Sequence, residues 1–455
     1  MKPLFLAFAA ALALTPACHA AVQKPRLIVA TDIGSEPDDA ESMVRLLLYA
    51  NDIEGLIAST STWQRTEVHP ELIVERVDAY GKVVGNLRKH ASGYPDASAL
   101  RSRILSGRAV YGMSGVGKGL DTKASDAIIA AVDRPDARPV WVAIWGGAVD
   151  LAQALWHVRD TRSPEQLAAF VAKLRVYAIS DQDDAGPWIR REFPDLFWVG
   201  SIHAFNNYTL ATWYGISGDL LTPTEGPDTA LVTNDWGDKH LRLGALGALY
   251  LRHLYIMEGD TPSFLNLIGN GLSDPEHPEF GGWGGRYAKV TAADGLYTDT
   301  ADRVAGIDGK VRQTNQATIW RWRQAYQDDF AARIQWSLTD SFAKANHAPH
   351  PVLDGVAGLG PIRLSAHAGE VVHLSAAGSK DPDGDRLRYN WWIYGEAGGQ
   401  SSRAKPPVLD GANTAEAALE IPAGPARSMH VILEVWDDGA PAMVTYRRAI
   451  IDVTP

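Results

Sequence analysis

Apolar and polar positions follow two different rhythms between residue 25 and about residue 345. Short apolar runs, each followed by polar or glycine-rich residues, predict buried strands, and stretches with apolar residues every three or four positions predict helices. Strands and helices that take turns along a chain are typical of a mostly parallel sheet covered by helices on both faces. The predicted strands are Leu27–Ala30, Glu54–Ser59, Val140–Ile144, Leu174–Ile179 and Leu196–Val199, and the predicted helices include Pro70–Val84 and Thr318–Phe342.

The pattern changes at Asn346–Pro351, a short proline-containing segment. Beyond it, strand-like runs are separated by Asp-Gly and proline turns, which predicts a small antiparallel β-sandwich. We therefore divide the chain into an α/β domain at 21–345, a linker at 346–352 and a sandwich at 353–455. The clearest runs of the sandwich are Val371–Ser375, Leu387–Tyr394 and His430–Trp436.

The first 20 residues predict a secretory signal peptide, with Lys2 before an apolar stretch and small residues before a cut after Ala20. No later segment reaches the roughly 18 to 20 apolar residues of a membrane span. The single cysteine, Cys18, precedes the cut, so the mature chain would hold no disulfide and no thiol ligand. A lipoprotein signal ending at Cys18 is the alternative, which the Thr-Pro pair before it fits poorly. We expect soluble export to the periplasm or out of the cell.

The chain carries a formal net charge of −11 and shows no basic run or stripe. Nucleic acid and acidic membrane surfaces are therefore disfavoured as partners, because both attract basic patches. Fifteen tryptophans are many for 455 residues. Most of them will belong to the core, but the excess leaves room for aromatic platforms under sugar rings.

The segment Thr31–Asp39 joins the first predicted strand to a helix-like stretch. In open α/β sheets, such loops at the carboxyl ends of strands are where ligands bind. Its aspartates Asp32, Asp38 and Asp39 repel one another unless protons or a cation neutralise them. Oxygen-rich loops of this kind suit Ca²⁺ or Mg²⁺. The alternative is an acidic helix cap on a solvated loop.

This loop resembles the acidic calcium-binding signature of nucleoside hydrolases. It is more similar still to that of a bacterial family of cellulose-binding proteins with a nucleoside-hydrolase-like domain. The segments Glu258–Leu265 and Gly281–Tyr287 resemble signatures of the second family, and the Asp-Pro-Asp-Gly-Asp turn at 381–385 resembles polycystic-kidney-disease-type modules. The resemblance implies a nucleoside-hydrolase-like α/β domain followed by an immunoglobulin-like sandwich. The aspartates of that turn could hold a structural cation or form a hydrogen-bonded turn.

The resemblance also implies a calcium site and its ligands. The aspartate ligands of that site match Asp32, Asp39 and Asp260 of this chain. Trp145 matches the residue whose backbone carbonyl is the remaining calcium ligand that the protein supplies. Asp38 matches an aspartate that faces the sugar hydroxyls. Ca²⁺ takes about six to eight oxygen ligands, so positions remain for water and for a sugar. We expect Asp32 and Asp38 to be the catalytic residues, with water activated near Asp32 attacking an anomeric carbon.

Three positions depart from the nucleoside hydrolase pattern. Ala30 stands where that signature begins with an aspartate. The loop between Asp32 and Asp38 is about two residues longer than in that signature, with Ser35–Pro37 where nucleoside hydrolases have fewer residues. Gly259 stands where purine-accepting nucleoside hydrolases carry a histidine that can protonate the leaving base. These departures weaken the case for a nucleoside substrate more than the case for metal-assisted sugar chemistry.

Further pocket candidates follow the predicted strands or lie in glycine-rich loops. Each has a structural alternative, since strand-end carboxylates also cap helices and glycines also serve turns. The residues predicted to contact substrate are Trp63, Gln64, Asp183, Asn207, Trp283 and Arg286.

The leading hypothesis is a secreted, calcium-dependent hydrolase that cleaves a glycosidic bond of a carbohydrate, in polysaccharide degradation. A polysaccharide-binding protein without turnover is the first alternative, and a nucleoside N-ribohydrolase is the second. A homo-oligomer is possible, because nucleoside hydrolases often assemble. The sequence does not name the sugar, its linkage or the stereochemical course.

Overall fold

The protein is described here by a computed structural model that covers residues 24–49, 52–203, 206–399 and 407–455. The predicted signal peptide at 1–20, with Cys18, lies outside the described residues. Among the helices of the described ranges, none is both long enough and apolar enough to cross a membrane.

The α/β part contains an eight-stranded sheet in the order β3-β2-β1-β4-β5-β6-β8-β7. Neighbouring strands are parallel except for the last pair, in which β7 runs antiparallel to β8. The mostly parallel sheet predicted from the apolar rhythm is confirmed. Its strands are β1 Arg26–Thr31, β2 Asp52–Ala58, β3 Ile104–Ser106, β4 Val140–Ile144, β5 Leu174–Ala178, β6 Phe197–Gly200, β7 Tyr287–Lys289 and β8 Leu296–Asp299.

Helices cover both faces of this sheet. In β1, Leu27 and Val29 face one apolar cluster while Ile28 faces a second, because side chains alternate along a strand. The first cluster includes α1, α2, α10 and α12, and the second includes α4, α5, α6 and α7. The helices are α1 Pro37–Leu47, α2 Pro70–His90, α3 Ala97–Arg101, α4 Lys123–Asp133, α5 Val149–Thr161, α6 Pro164–Ala172, α7 Ala185–Glu192, α8 Asn234–His240, α9 Gly244–Gly247, α10 Pro262–Leu265, α11 Ala317–Trp320 and α12 Arg323–Leu338.

Two helices differ from their predicted extents. The helix that begins at Pro70 continues through a basic last turn that ends at His90, where positive charge suits the helix dipole. The helix predicted at Thr318–Phe342 is instead two helices, α11 and α12, that meet at Trp322. The Trp322 ring lies 5.8 Å from Tyr446 of the C-terminal part, centroid to centroid, so a long-range contact coincides with this break.

The C-terminal part consists of two sheets packed over a common apolar core that includes Leu374, Trp391, Leu433 and Ile451. One sheet has the order β13-β19-β18-β15 and the other β14-β17-β16. The C-terminal β sheets predicted from the sequence are confirmed, but one pair is not antiparallel as predicted, since β13 runs parallel to β19. The remaining strands are β9 Asp302–Ala305, β10 Val311–Thr314, β11 Val352–Leu353, β12 Val356–Ala357, β13 Ile362–His367, β14 Val371–Ser375, β15 Arg388–Ile393, β16 Leu409–Asp410, β17 Glu416–Glu420, β18 Arg427–Trp436 and β19 Val444–Thr454.

The two parts of the chain share a buried interface. Tyr394, Ile432 and Tyr446 belong to the same apolar cluster as the helices of the α/β part. The guanidinium of Arg448, on β19, donates hydrogen bonds to the backbone carbonyls of Leu272, Phe280 and Gly281. The C-terminal sheets are therefore packed against the α/β part, and the segment of the α/β part from Leu272 to Gly281 is hydrogen-bonded to β19.

Candidate functional site

The acidic loop lies at the carboxyl end of β1, as predicted. Asp32 directly follows this strand, and Asp38 and Asp39 stand in the first turn of α1, where the helix dipole favours negative charge. Asp260 precedes Pro262, the first residue of α10. Four carboxylates from two distant segments of the chain thus converge on one edge of the sheet.

Three of these carboxylates meet closely. Oxygen atoms of Asp38, Asp39 and Asp260 lie within 4.8 Å of one another. All three side chains are buried, and Oδ2 of Asp260 has no hydrogen-bond partner among the described residues. Thr31 Oγ1 donates a hydrogen bond to Oδ1 of Asp39, which ties that carboxylate to the end of β1.

The electrostatics of the cluster are unfavourable without a counter-charge. Burial raises the pKa of Asp38, Asp39 and Asp260 well above the ordinary value, and repulsion from neighbouring carboxylates raises each further. Burial also raises the pKa of Asp32, against the hydrogen bonds from Ser61 and Ser35. Protons or a cation must therefore neutralise this group of carboxylates near neutral pH.

Asp32 and Trp145 lie beside the cluster. A Cβ atom added to Gly146 would stand 2.8 Å from Oδ1 of Asp32, so that carboxylate packs against the turn that follows β4. The backbone carbonyl of Trp145 accepts a hydrogen bond of 2.6 Å from Nε2 of Gln182. Because a carbonyl oxygen has two lone pairs, this bond leaves one for a further partner.

The donor set fits a hard divalent cation. Carboxylate oxygens are the ligands that Ca²⁺ and Mg²⁺ prefer, and Oδ2 of Asp260, which has no partner among the described residues, is free to coordinate. The residues that would hold the ion are Asp38, Asp39 and Asp260. Asp32 is near enough for its charge to raise the pKa of all three. Asp38, predicted to face the sugar, stands here among the closest three.

A pocket of about 470 Å³ opens above the cluster. Its walls combine carboxylates, amides and several aromatic rings, a mixture suited to a sugar with polar edges and apolar faces. The lining residues are Ser35, Glu36, Asp38, Trp63, Ile179, Gln182, Asn206, Tyr208, Trp213, Tyr214, Leu221, Tyr255, Ile256, Gly259 and Asp260.

Only some of the residues predicted to contact substrate line this pocket. Trp63 lines it and is half exposed, whereas Gln64 is buried and donates from Nε2 to the backbone carbonyl of Asp32. Asp183 is buried and accepts from the amide of Ala185 at the start of α7. Asn207 is exposed and lies outside the pocket lining, although both of its chain neighbours contribute to it. Gln64 therefore supports the acidic loop, and Asp183 supports a helix.

Trp283 and Arg286 stand away from the pocket, contrary to the prediction that they pack over a ligand there. Trp283 is buried, and its indole Nε1 donates to the hydroxyl of Tyr446 on β19. Arg286 is buried and donates from Nε to Asp302 at 2.7 Å. The glycine-rich loop that carries both residues is part of the interface with the C-terminal sheets.

Sequence reasoning missed most of the aromatic wall. Tyr208, Trp213 and Tyr214 follow β6, and Tyr255 precedes the loop that carries Asp260. The signal that could have found them is the run of aromatic residues after a strand end, at the same edge as the acidic loop. Gln182, which follows β5, also lines the pocket, whereas Asp183 beside it does not.

Gly259 explains one departure from the nucleoside hydrolase pattern. A Cβ atom at this position would lie 2.6 Å from Oδ2 of Asp38, closer than real Cβ atoms approach their neighbours. A histidine there would require the Asp38 carboxylate to shift from its present position. The missing histidine and the position of Asp38 are thus physically connected.

Asparagine at position 183 is expected to remove a loss of about 3–4 kcal/mol in the free energy of unfolding that wild type undergoes between pH 4 and pH 8. Burial raises the pKa of Asp183 to about 7, against hydrogen bonds from backbone amides. The folded state favours the protonated carboxyl, so the unfolding free energy of wild type decreases as pH rises from about 4 through 7. Asp183→Asn is neutral throughout and removes this decrease.

Urea denaturation of both proteins between pH 4 and pH 8, with chelator present, measures this difference. Asp195→Asn, at an exposed position, is the control and should keep the wild-type pH profile. An Asp183→Asn profile parallel to that of wild type would contradict the prediction.

Comparisons with known proteins bear on the whole chain. A family model described as cellulose-binding Sde182, nucleoside hydrolase-like domain, matches residues 26–287. A second model, described as cellulose-binding protein Sde0182, C-terminal domain, matches residues 371–453. No curated protein matches the chain.

Among solved structures, the chain is similar to a nucleoside hydrolase-related hypothetical protein from Saccharophagus degradans, described as associated with carbohydrate metabolism. The two are 36% identical, with a TM-score of 0.81 over 95% of this chain and 100% of the other. The PKD domain from KIAA 1837 protein is 16% identical over 21% of this chain and 81% of its own, with a TM-score of 0.15.

The match to the first family model covers more than half of the chain, and the similar solved structure spans nearly all of it. That structure supports the nucleoside-hydrolase-like α/β fold and the C-terminal sheets described above. The family predicted from the acidic loop and its companion signatures is confirmed. This chain belongs to the cellulose-binding protein family that joins a nucleoside hydrolase-like domain to a C-terminal β domain.

Proposed function

We propose that this protein is a secreted, calcium-dependent hydrolase that cleaves a glycosidic bond of a carbohydrate. The observation that carries the proposal is the cluster of Asp38, Asp39 and Asp260, whose oxygens lie within 4.8 Å of one another. Two of these residues, Asp38 and Asp260, line an aromatic-walled pocket. Such a cluster needs protons or a cation to neutralise it near neutral pH. Its oxygen ligands suit Ca²⁺ in that role, and the pocket beside it has room for a sugar.

The residues of the site have separate roles in this proposal. When bound, calcium supplies the charge that neutralises the carboxylates, and it orients neighbouring sugar hydroxyls. Asp32 accepts a proton from the attacking water as general base. Glu36, which lines the pocket, is the candidate to protonate the departing oxygen. Trp63 and Tyr255, both about half exposed at the pocket, offer apolar faces to sugar rings.

A binding protein without turnover is the second candidate. It is favoured by the descriptions of both matching family models, which name cellulose binding, although the first also names a nucleoside hydrolase-like domain. The pocket chemistry suits recognition of a sugar equally well, because aromatic faces and polar edges bind a ring whether or not a bond is cleaved. Turnover is therefore the property that separates the two candidates.

The experiment combines calorimetry with a sugar-release screen on the chain without residues 1–20. Wild type is expected to bind Ca²⁺ and to release reducing sugar from a panel of polysaccharides in a calcium-dependent manner. Asp39→Ala should lose both properties, because it removes one of the three converging carboxylates. Asp181→Ala is the matched control, since this neighbouring aspartate is paired with Arg190 rather than with the cluster.

Each outcome decides between the candidates. Calcium uptake with polymer retention but no released sugar would support the binding protein, and retention should then survive Asp39→Ala and fall in Trp63→Ala. Absence of calcium uptake by wild type would overturn the metal-dependent reaction. Release of free base from inosine or uridine would instead support a nucleosidase, which Gly259 disfavours.

A further inference from the structure

One face of α1 carries a stripe of buried polar side chains. The stripe begins at Asp38 and continues with Glu41, Ser42 and Arg45. These three residues follow Asp38 by three, four and seven positions, which places all four on the same side of the helix. The last three are fully buried. A helix that buries polar groups requires hydrogen-bonding partners for them in the interior.

Three members of this stripe have hydrogen-bond partners in one loop, Glu258–Thr261. Oε2 of Glu41 accepts from the backbone amide of Glu258 at 3.0 Å. Ser42 Oγ accepts from the Thr261 hydroxyl at 3.0 Å. Arg45 donates from Nε and Nη2 to the two carboxylate oxygens of Glu258, at 2.6 and 2.7 Å. The stripe thus holds both ends of the loop that contains Asp260.

Glu258 holds a backbone conformation that its residue type rarely adopts. Its φ is 55°, in the left-handed region, and its side chain is buried. Residues kept in such conformations are held there by their surroundings and concentrate at functional sites. Here the contact that holds Glu258 is Arg45 of α1. The Arg45 guanidinium also donates to the backbone carbonyl of Tyr326 on α12 at 2.9 Å and lies 4.0 Å from the Phe330 ring centroid.

We propose that Glu258 is a positioning residue for the metal centre, which through its pair with Arg45 sets the place of the Asp260 carboxylate against Asp38 and Asp39. This inference rests on the calcium site of the proposed function. Asp38 begins the stripe, and Asp260 lies two residues after Glu258, so the Arg45–Glu258 pair connects the two sides of the cluster. Oδ2 of Asp260 has no partner among the described residues, so that oxygen's place is set by the backbone that carries it.

The test is the calcium dissociation constant measured by calorimetry, beside thermal unfolding in chelator, for wild type, Glu258→Gln and Arg45→Lys. Glu258→Gln removes the negative charge of the pair, and Arg45→Lys removes the guanidinium that donates two hydrogen bonds at once. In both variants we expect calcium affinity to fall by roughly 10- to 100-fold. Arg286→Lys is the matched control, because it weakens a buried arginine–aspartate pair away from the pocket. It should lower thermal stability and leave calcium affinity unchanged.

A milder pair of variants covers the case in which Glu258→Gln does not fold. Thr261→Val removes the hydroxyl that donates to Ser42, and Thr261→Ser retains it. Calcium affinity should fall in the first and recover in the second. Folded variants that bind calcium as tightly as wild type would overturn the positioning role alone. Absence of calcium uptake by wild type would overturn this role together with the proposed metal centre.

Discussion

Replacing Asp302 by alanine is expected to lower the free energy of unfolding by about 3–5 kcal/mol. Asp302 is fully buried between the two parts of the chain. It accepts hydrogen bonds from Arg286 at 2.7 Å, from Arg321 at 2.8 Å and from the Tyr394 hydroxyl at 2.5 Å. Burial raises its pKa, but the charges of Arg321 and Arg286 outweigh burial and hold the pKa below the ordinary value. Alanine would leave two mostly buried guanidinium groups without their carboxylate.

Urea denaturation at pH 7 measures this loss. The control is Asp308→Ala, which breaks a two-bond pair with Arg312 on the exposed surface, where water replaces the lost partner. We expect the denaturation midpoint of the control to stay close to that of wild type. Equal midpoints for Asp302→Ala and the control would show that this network contributes little to the interface.

Calcium is expected to raise the melting temperature of wild type and to leave that of Asp39→Asn unchanged. A ligand at 100 times its dissociation constant adds about 2.7 kcal/mol to the free energy of unfolding, provided it binds the folded state alone. Asparagine keeps the acceptor for the Thr31 hydroxyl but removes one charge from the cluster. The variant therefore separates the loss of the calcium effect from general damage to the fold.

In chelator the same substitution should act in the opposite direction. Burial and the neighbouring carboxylates raise the pKa of Asp39 well above its ordinary value, so the metal-free folded state favours its protonated form. The unfolding free energy of metal-free wild type is therefore expected to fall as pH rises above about 4, and Asp39→Asn should be the more stable protein at pH 8. With calcium present, affinity should instead rise with pH, because the ion binds ionised carboxylates.

Thermal unfolding at several pH values, with calcium and with chelator, measures both effects. Asp181→Asn serves as the control, since its side chain is paired with Arg190 and lies outside the three converging carboxylates. It should retain the calcium effect. A melting temperature of Asp39→Asn that calcium raises as much as that of wild type would contradict a metal site at Asp39.

Local periodicity was sufficient for much of the α/β part. The strand Val140–Ile144 was predicted at its observed bounds, and the acidic loop was placed at the correct strand end. Both results follow from short-range rules, since the apolar pattern of a short segment predicts a buried strand without knowledge of its tertiary contacts. The same rules missed β19, Val444–Thr454, whose sheet partners include a parallel strand from the start of the C-terminal part.

Interface residues and sugar-binding residues look alike in a sequence, and this limited the prediction of the site. Trp283 and Arg286 are a tryptophan and an arginine among glycines, the composition expected over a ligand, yet their partners are Tyr446 and Asp302. Conversely, Trp213 lines the pocket, and its local signal, aromatic residues after a strand end, does not separate pocket residues from core residues. Residue type indicates the contact chemistry, and only the packing of distant segments decides which surface receives it.

The sequence by itself determined the alternation of strands and helices, the change to β structure after the linker and the presence of three aspartates in one loop. Each depends on neighbours within a few residues. Tertiary structure decided that Asp260 joins Asp38 and Asp39, that α11 and α12 are separate, and that the glycine-rich loop packs against the C-terminal sheets. These features depend on contacts between residues far apart in the chain, whose geometry arises only when the whole core closes.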